Sequence, residues 1–340
     1  MEPSQYPFVS VIILNYNGKH HLKTCLDSVL KTDYPNFEVI LVDNGSTDGS
    51  IEFVKSNYPN VKIIKLKKNY GTAIGYDVGV MNAKGKYVAI LNNDIEVNVK
   101  WLKMLVKYVK KFRKLNVVAA DPKFRSFYSR DKFEDSAAAG RWIDYFGNNY
   151  TRGVNEKDVG QYDKPIFIFG ILTFFERDAL IKSGAFDPYY IFGYEDNDLG
   201  WRLYLLGYKV IYVPDSVIYH KSGGTTRGLK KRPKPFFYYF VKKNKIVSLL
   251  KNYEIKNMLP ALMVTLFEYS LLIYYFMLTN QKEYGYGVFR AIYKTLFKDL
   301  KHIIRRRIRV QALRKVRDKD IKKYMVPYSG ILWDLVKGRR

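Results

Sequence analysis

A single cysteine, Cys25, stands among 340 residues. One thiol builds no internal disulfide framework, so the fold must rest on its core, and the scarcity fits a reducing compartment. Acidic residues are few beside basic ones: 32 Asp and Glu face 58 Lys and Arg, a net charge of +26. That excess predicts attraction to polyanions, namely nucleic acid, acidic lipid or phosphorylated small molecules, without choosing among them. The glycines follow neither the Walker nor the Rossmann spacing, which excludes both of those nucleotide cradles. No DNA- or RNA-binding motif and no internal repeat occurs, so nucleic acid is not an expected partner. Glu2 and Pro3 precede the short apolar run 8–14 with no basic flank or small-residue cleavage site, and no signal peptide is expected. What the chain does have is a composition 47% hydrophobic and 16% aromatic, ample for a core and too apolar for disorder.

Residues 8–120 alternate short β-rich runs with helical patterns, which predicts an α/β sheet assembled from βαβ units. Strands are expected at 9–15, 38–43, 61–65 and 87–92, with helices at 21–30 and 50–57; Gly45-Ser46-Thr47-Asp48-Gly49 introduces the second. Asn15, Asp43 and Asn92 end three of these strands. Ligands of open parallel sheets bind at the carboxyl ends of strands, so these polar ends are expected to line one crevice. Residues 121–165 are polar and weakly periodic, the pattern of an ordered insertion or mobile loop. Strand-like runs return at 166–169 and 209–213, and from about Phe236 apolar-aromatic segments interleave with Lys and Arg. The expected division is a catalytic domain over 1–235, split into halves 1–120 and 121–235, and a basic amphipathic helical extension over 236–340.

Three places concentrate chemistry. Asp94, after Asn92 and Asn93, follows the apolar run 87–91 and so sits just past a buried strand, where a carboxylate holds a hard cation or simply ends a turn. Glu195, Asp196 and Asp198 bring three carboxylates within four residues. Such a group caps a helix, binds cations or does proton chemistry, and Leu199, Leu203 and Leu206 begin a helical stripe directly after it. His220 ends the β-type run 209–219 and precedes Lys221-Ser222-Gly223-Gly224-Thr225-Thr226; it is either a metal ligand or a structural imidazole.

The motifs Val11-Ile12-Ile13-Leu14-Asn15-Tyr16-Asn17-Gly18, Val42-Asp43-Asn44-Gly45-Ser46-Thr47-Asp48-Gly49-Ser50, residues 69–75, Leu91-Asn92-Asn93-Asp94, Gly184-Ala185-Phe186-Asp187 and Tyr194-Glu195-Asp196-Asn197-Asp198-Leu199-Gly200-Trp201-Arg202 come in a telling order. Over residues 8–228 they resemble the family 2 inverting glycosyltransferases, most closely the rhamnosyltransferase-like branch. The resemblance implies the GT-A fold, one mixed and mainly parallel sheet flanked by helices, a nucleotide half preceding an acceptor half. It implies a nucleotide-sugar donor with Asp43 on its base or ribose, and places Asn15, Asn17, Asn44, Gly71, Asp77, Asn92 and Asn93 along the same site. Asp94 stands where the family's metal-binding motif ends, His220 where some members add a second ligand, and the ion would be Mg2+ or Mn2+. Asp196 falls at the position of the catalytic base, with Glu195 beside it, while Gly170, Asp198 and the Phe174-Phe175 pair are expected toward the acceptor, a lipid-linked or surface glycan. Like charge from Glu195 and Asp198 is expected to raise the proton affinity of Asp196. Two departures from the pattern stand out: Asn92 and Asn93 replace acids, and Asp77 replaces an Asn. The thinner acidic motif keeps an inactive scaffold as a competing reading.

The run 258–278 is 21 residues long, interrupted only by Pro260, Thr265, Glu268 and Ser270, and is long enough to span a bilayer. Downstream, Phe289, Ile292, Leu296, Leu300 and Ile303 recur at helical spacing among basic residues. Residues 282–340 carry 18 Lys and Arg against 5 Asp and Glu, a net +13. A full span would set that charge opposite the catalytic domain, against the positive-inside tendency. The expectation is a peripheral or re-entrant segment on an anionic membrane surface, at the cytoplasmic face. The alternative is helical packing on the catalytic core or within a homo-oligomer.

Overall fold

The structure, a computed structural model, describes residues 6–134, 138–170, 173–221 and 235–327. In chain order the elements are β1 (Val9–Asn15), α1 (Lys19–Leu30), β2 (Phe37–Asp43), α2 (Ser50–Asn57), β3 (Lys62–Lys65), α3 (Thr72–Asn82), β4 (Tyr87–Asn92), β5 (Ile95–Val97), α4 (Trp101–Lys111) and β6 (Val117–Ser126). Then follow β7 (Arg141–Ile143), β8 (Asn149–Thr151), β9 (Ile166–Ile168), β10 (Phe174–Glu176), α5 (Arg177–Lys182), α6 (Glu195–Leu205) and β11 (Lys209–His220). The chain continues in α7 (Pro235–Asn252), α8 (Ile255–Leu278), α9 (Lys282–Tyr293), a π-helical turn over Lys294–Lys298, and α10 (Leu300–Leu313).

Two compact units emerge, and they are not consecutive segments: Met1–Arg141, Thr151–Pro188 and Tyr208–Gly228 form the first, and Trp142–Tyr150, Tyr189–Gly207 and Leu229–Arg340 the second. This differs from the boundary expected at 235, because α6 carries its acidic run into the helical unit.

The first unit is built on a nine-stranded mixed sheet in the order β3-β2-β1-β4-β10-β6-β11-β5, with β9 pairing β11. The first four strands of that order are parallel and in register, so that Asn15 lies beside Asp43 and Leu14 beside Asn92. All seven residues of β1 are buried, as a strand covered on both faces requires. Gly75 and Gly79 let α3 lie close on it: a Cβ at either position would fall 2.4 Å from Leu14 or Ile12.

Of the ordered insertion or mobile loop expected from 121, β6 makes the first part ordered strand. It runs on to Ser126 because its charges are matched: Lys123 pairs with Asp158 at 2.9 Å, and Asp121 with Arg141 at 3.3 Å. β11 slips register against β6 between Val213 and Val217, spanning Pro214, which has no N–H to give the ladder.

The second unit packs α7 against α8, α9 and α10. Tyr190, Tyr194, Ile246, Val247, Tyr269, Phe276, Val288 and Ile303 form its core. α8 is turned inside out. Its inward stripe is Ala261, Thr265, Tyr269 and Phe276, all buried, whereas Leu259, Met263, Phe267, Leu271, Tyr274 and Leu278 stand 51–71% exposed. Ile292, Leu296 and Ile303 pack inward as their spacing predicts, but Phe289 does not; it stacks outside with Tyr293, and Tyr293 with Phe297. The π-helical turn shifts the phase of the face between α9 and α10.

Candidate active site

In the first unit the strand ends do converge, through a net of side-chain amides. Asn15 is fully buried; its Nδ2 donates to Asp43 Oδ1 at 2.9 Å and to Ser46 Oγ at 3.1 Å, while its Oδ1 accepts from Asn93 Nδ2 at 2.6 Å. Gly18 leaves room for this net, since a Cβ there would land 1.8 Å from that Asn93 nitrogen and displace its amide. Asn17 accepts the Thr47 N–H at 2.8 Å, and Asn92 accepts the Tyr76 hydroxyl at 2.6 Å. Asn44 pins the segment before α3: it accepts the Tyr70 N–H and donates to Asn69 and to the carbonyl of Gly71.

Two expected sugar-donor contacts change role. Asp43 is fully buried, with one oxygen taken by Asn15 and the other by the Ser46 N–H at 2.9 Å, so it shapes the crevice wall rather than opening onto it. Asp77 accepts the Phe186 N–H at 2.9 Å and fastens the turn whose Gly184 and Ala185 both have positive φ. On the acceptor side, Phe174 and Phe175 are buried core residues of β10, Phe174 stacking on Tyr87 at 5.2 Å, and form no wall. Gly170 is buried and donates to the carbonyl of Arg141 at 3.2 Å.

Asp94 and His220 are brought together by backbone pairing. β5 and β11 are antiparallel with His220 opposite Ile95, and the Lys221 N–H donates to the Asp94 carbonyl at 3.0 Å. The His220 Nε2 lies 3.3 Å from Asp94 Oδ1, near enough for an ion pair yet too misaligned for a hydrogen bond, so that buried oxygen has no hydrogen-bond donor. Glu134, 2% exposed, meets the other ring nitrogen at 3.1 Å. Burial disfavours charge on His220, but Asp94 and Glu134 outweigh it and lift the imidazole to about 10. Burial likewise opposes ionisation of Asp94, and His220 holds it below the usual carboxylate range. Among the described residues no three His, Cys, Asp or Glu side chains form a metal shell. Asp94 and His220 nevertheless fit a hard or borderline divalent cation as two ligands, an oxygen and a nitrogen, the rest of the shell being left to phosphate and water. The glycine-bearing stretch 222–226 lies outside the described residues.

The second unit holds the acidic run. Tyr194, buried and with φ of 76°, turns the chain into α6, and Glu195, Asp196 and Asp198 fill its first turn. Asp196 is 7% exposed, and the Asn197 Nδ2 lies 3.3 Å from its Oδ1. Asp198 is a different kind of carboxylate. Wholly buried, it receives Arg202 Nε at 2.9 Å, Lys251 Nζ at 2.8 Å, Asn252 Nδ2 at 3.0 Å and the Tyr190 hydroxyl at 3.2 Å. It is therefore an internal counter-ion, neither an acceptor contact nor an uncompensated like charge beside Asp196.

The profile described as Glycosyl transferase family 2 matches residues 10–182, half the chain, and that of Glycosyl transferase family group 2 matches residues 134–289. The chain belongs to glycosyltransferase family 2. Among its relatives is poly-beta-1,6-N-acetyl-D-glucosamine synthase of Staphylococcus epidermidis, 27% identical over 236 residues, which are 68% of this chain and 54% of the synthase. The chain thus spans about half the length of that relative. The N-acetylglucosaminyl-diphospho-decaprenol L-rhamnosyltransferase of Mycobacterium tuberculosis is 27% identical over 239 residues, 64% of this chain and 77% of the relative. A mannosyltransferase from Pyrobaculum calidifontis, solved with GDP-Man and Mn2+, superposes with a TM-score of 0.53 at 19% identity, covering 87% of this chain and 89% of the other. S. aureus TarS 1–349 with UDP-GlcNAc gives 0.55 at 17% identity, covering 89% and 90%. The GT-A fold is shown by these likenesses together with the sheet.

The surroundings of the Asp94–His220 pair include residues that the sequence does not announce. Glu134 belongs to a polar stretch 86 residues from His220. The His21 imidazole lies near Asp94 and His220, and is held below its ordinary value by burial and then by the charges of His20 and Lys221. Lys221 is itself buried, its Nζ donating to Thr24 Oγ1 at 3.1 Å. No local spacing links these residues; the packing of α1 and the pairing of β5, β6 and β11 bring them together.

Proposed function

We propose that this glycosyltransferase moves a sugar from a nucleoside-diphosphate sugar to a hydroxyl of a lipid-linked or surface glycan, with inversion at the anomeric carbon. The observation that carries the reading is the Asp94–His220 pair at the end of the parallel strands, with its undonated carboxylate oxygen. Relatives named for poly-N-acetylglucosamine synthesis and for rhamnosyl transfer to a diphospho-decaprenol acceptor support the substrate classes. Neighbours solved with UDP-GlcNAc, or with GDP-Man and Mn2+, support a nucleotide-sugar donor and a divalent cation.

Asp94 and His220 would hold Mg2+ or Mn2+, which supplies charge neutralisation for the departing diphosphate. His220 must give up its ring proton to become a ligand. Asn17, Asn44 and Gly71 line the crevice around the nucleotide, with Asn15, Asp43, Asn92 and Asn93 holding its walls in register. Asp196 takes the proton of the acceptor hydroxyl as that oxygen attacks from the face opposite the diphosphate, and one displacement inverts the centre. The chain works at the cytoplasmic face of an anionic membrane, where α8 supplies the apolar surface; it alone among the described helices is long and apolar enough to cross one.

Titrating nucleoside diphosphate into wild type and Asp94→Ala, with and without Mn2+, tests the assignment. Metal should tighten binding in the wild type at least about tenfold and leave the variant unmoved. Affinity indifferent to metal in both proteins overturns the cation site.

A further inference from the structure

The second unit buries a lysine that neither composition nor the motifs explain. Lys245 belongs to the run Lys242-Lys243-Asn244-Lys245 on α7, which reads as a solvated basic stripe, yet it is 4% exposed. Burying an ammonium costs several kcal/mol, so the pairing that holds it has to be close. Its Nζ donates to Glu268 Oε2 on α8 at 3.0 Å and to Asn148 Oδ1 at 2.7 Å. Asn148 closes the turn between β7 and β8. Its backbone N–H and Nδ2 donate to the two carboxylate oxygens of Asp144 at 2.7 and 2.8 Å, and the Phe146 N–H adds a third bond at 2.8 Å. The next residue, Asn149, offers its Oδ1 to Asn197 Nδ2 at 3.0 Å, and that same nitrogen lies 3.3 Å from Asp196 Oδ1.

We propose that Lys245, Glu268 and Asn149 are positioning residues for the proton-accepting carboxylate Asp196: the buried ion pair fixes the 144–149 turn, and the turn aims the Asn197 amide at Asp196. The inference rests on reading Asp196 as the base, and it adds residues that no motif of the chain marks. An ordinary stabilising pair would need no such continuation. Here each link ends on the next: α8 holds Lys245, Lys245 holds the turn, and the turn holds the amide beside the base. A misplacement of about 1 Å at such a group can cost a hundredfold in rate.

The test uses the full chain with two variants, each made in the wild type and in Asp196→Asn. Lys245→Met combined with Glu268→Gln removes both charges of the pair together, so neither partner is left as a lone buried ion. Asn149→Ala cuts the chain at an exposed residue, where loss of fold is not at issue. Turnover, the KM for the sugar donor and Tm are measured for all. Each variant should lower kcat about tenfold or more with the donor KM unchanged, and should cause no further loss in the Asp196→Asn background, since there is no base left to aim. An equal fold-loss in both backgrounds, or a fall in Tm with kcat intact, makes these residues merely structural and overturns the proposal. Should the charge-pair variant fail to fold, Asn149→Ala decides by the same comparison. Full activity of Asp196→Asn alone would instead remove the base assignment, and the positioning claim with it.

Discussion

Replacing Asp196 by Asn and Asp198 by Asn probes two different carboxylates of one acidic run. Asp196→Asn should keep Tm and nucleotide affinity and lower turnover at least about a hundredfold, the scale of a lost general base, as steady-state kinetics would show. Asp198→Asn should leave Arg202 and Lys251 buried with too little counter-charge and cost about 3 kcal/mol or more in a denaturant melt. The sequence set both acids at a helix start but could not tell them apart, because the partners of Asp198 include a lysine 53 positions away. Asp94 was legible for the opposite reason, since its place at a strand end is a local property. His220 gives a pH test. Its folded value of about 10 lies above the 6.5 of an unfolded histidine, so its pairing with Asp94 and Glu134 stabilises fully below pH 6.5 and is lost as pH climbs toward 10. The metal-free Tm should fall over that window in wild type, and His220→Gln should flatten the fall.

Among elements, the parallel strands were read almost to the residue, with β1 and β4 at their expected bounds and β2 and β3 off by one. Apolar runs ended by polar residues mark buried parallel strands without help from tertiary context. β6 beyond residue 120 was not legible, because Asp121 and Lys123 become buried only through partners at residues 141 and 158. α8 was legible as a helix but not in its orientation: Thr265 and Glu268 read only as interruptions of an apolar run, and it is packing that turns them inward. Thr265 tests that orientation, since its hydroxyl is fully buried and accepts or donates no hydrogen bond. Thr265→Val should therefore hold Tm or raise it, by up to about 1 kcal/mol in stability. Were the residue exposed instead, the change would register nothing beyond a small surface effect.

At the scale of the whole molecule, the change of composition near residue 236 marked where the helices begin, but not what they belong to. α6 packs on α7, and Asp198 takes its counter-ion Lys251 from that helix. A chain cut near residue 232 would strand α6 and a buried charge, so it should aggregate rather than fold alone. The membrane claim is better tested in the full chain, by charges placed on the exposed stripe of α8. Phe267→Glu with Leu271→Glu alters two residues that touch little inside the unit, and should move stability by no more than about 0.5 kcal/mol each. Each Lys or Arg near an acidic leaflet contributes about 1 kcal/mol, and Arg290, Lys298, Lys301 and Arg305 are exposed on the helices that follow. Wild type should float with anionic vesicles and far less with neutral ones, and the double variant should stay at the bottom of the gradient despite an unchanged melt. High salt should release the wild type if the stripe lies in the interface, and should fail to release it if α8 is inserted. A wild-type chain indifferent to vesicles of every composition would assign the stripe to another protein surface, and would leave the basic charge to serve the phosphorylated substrate alone.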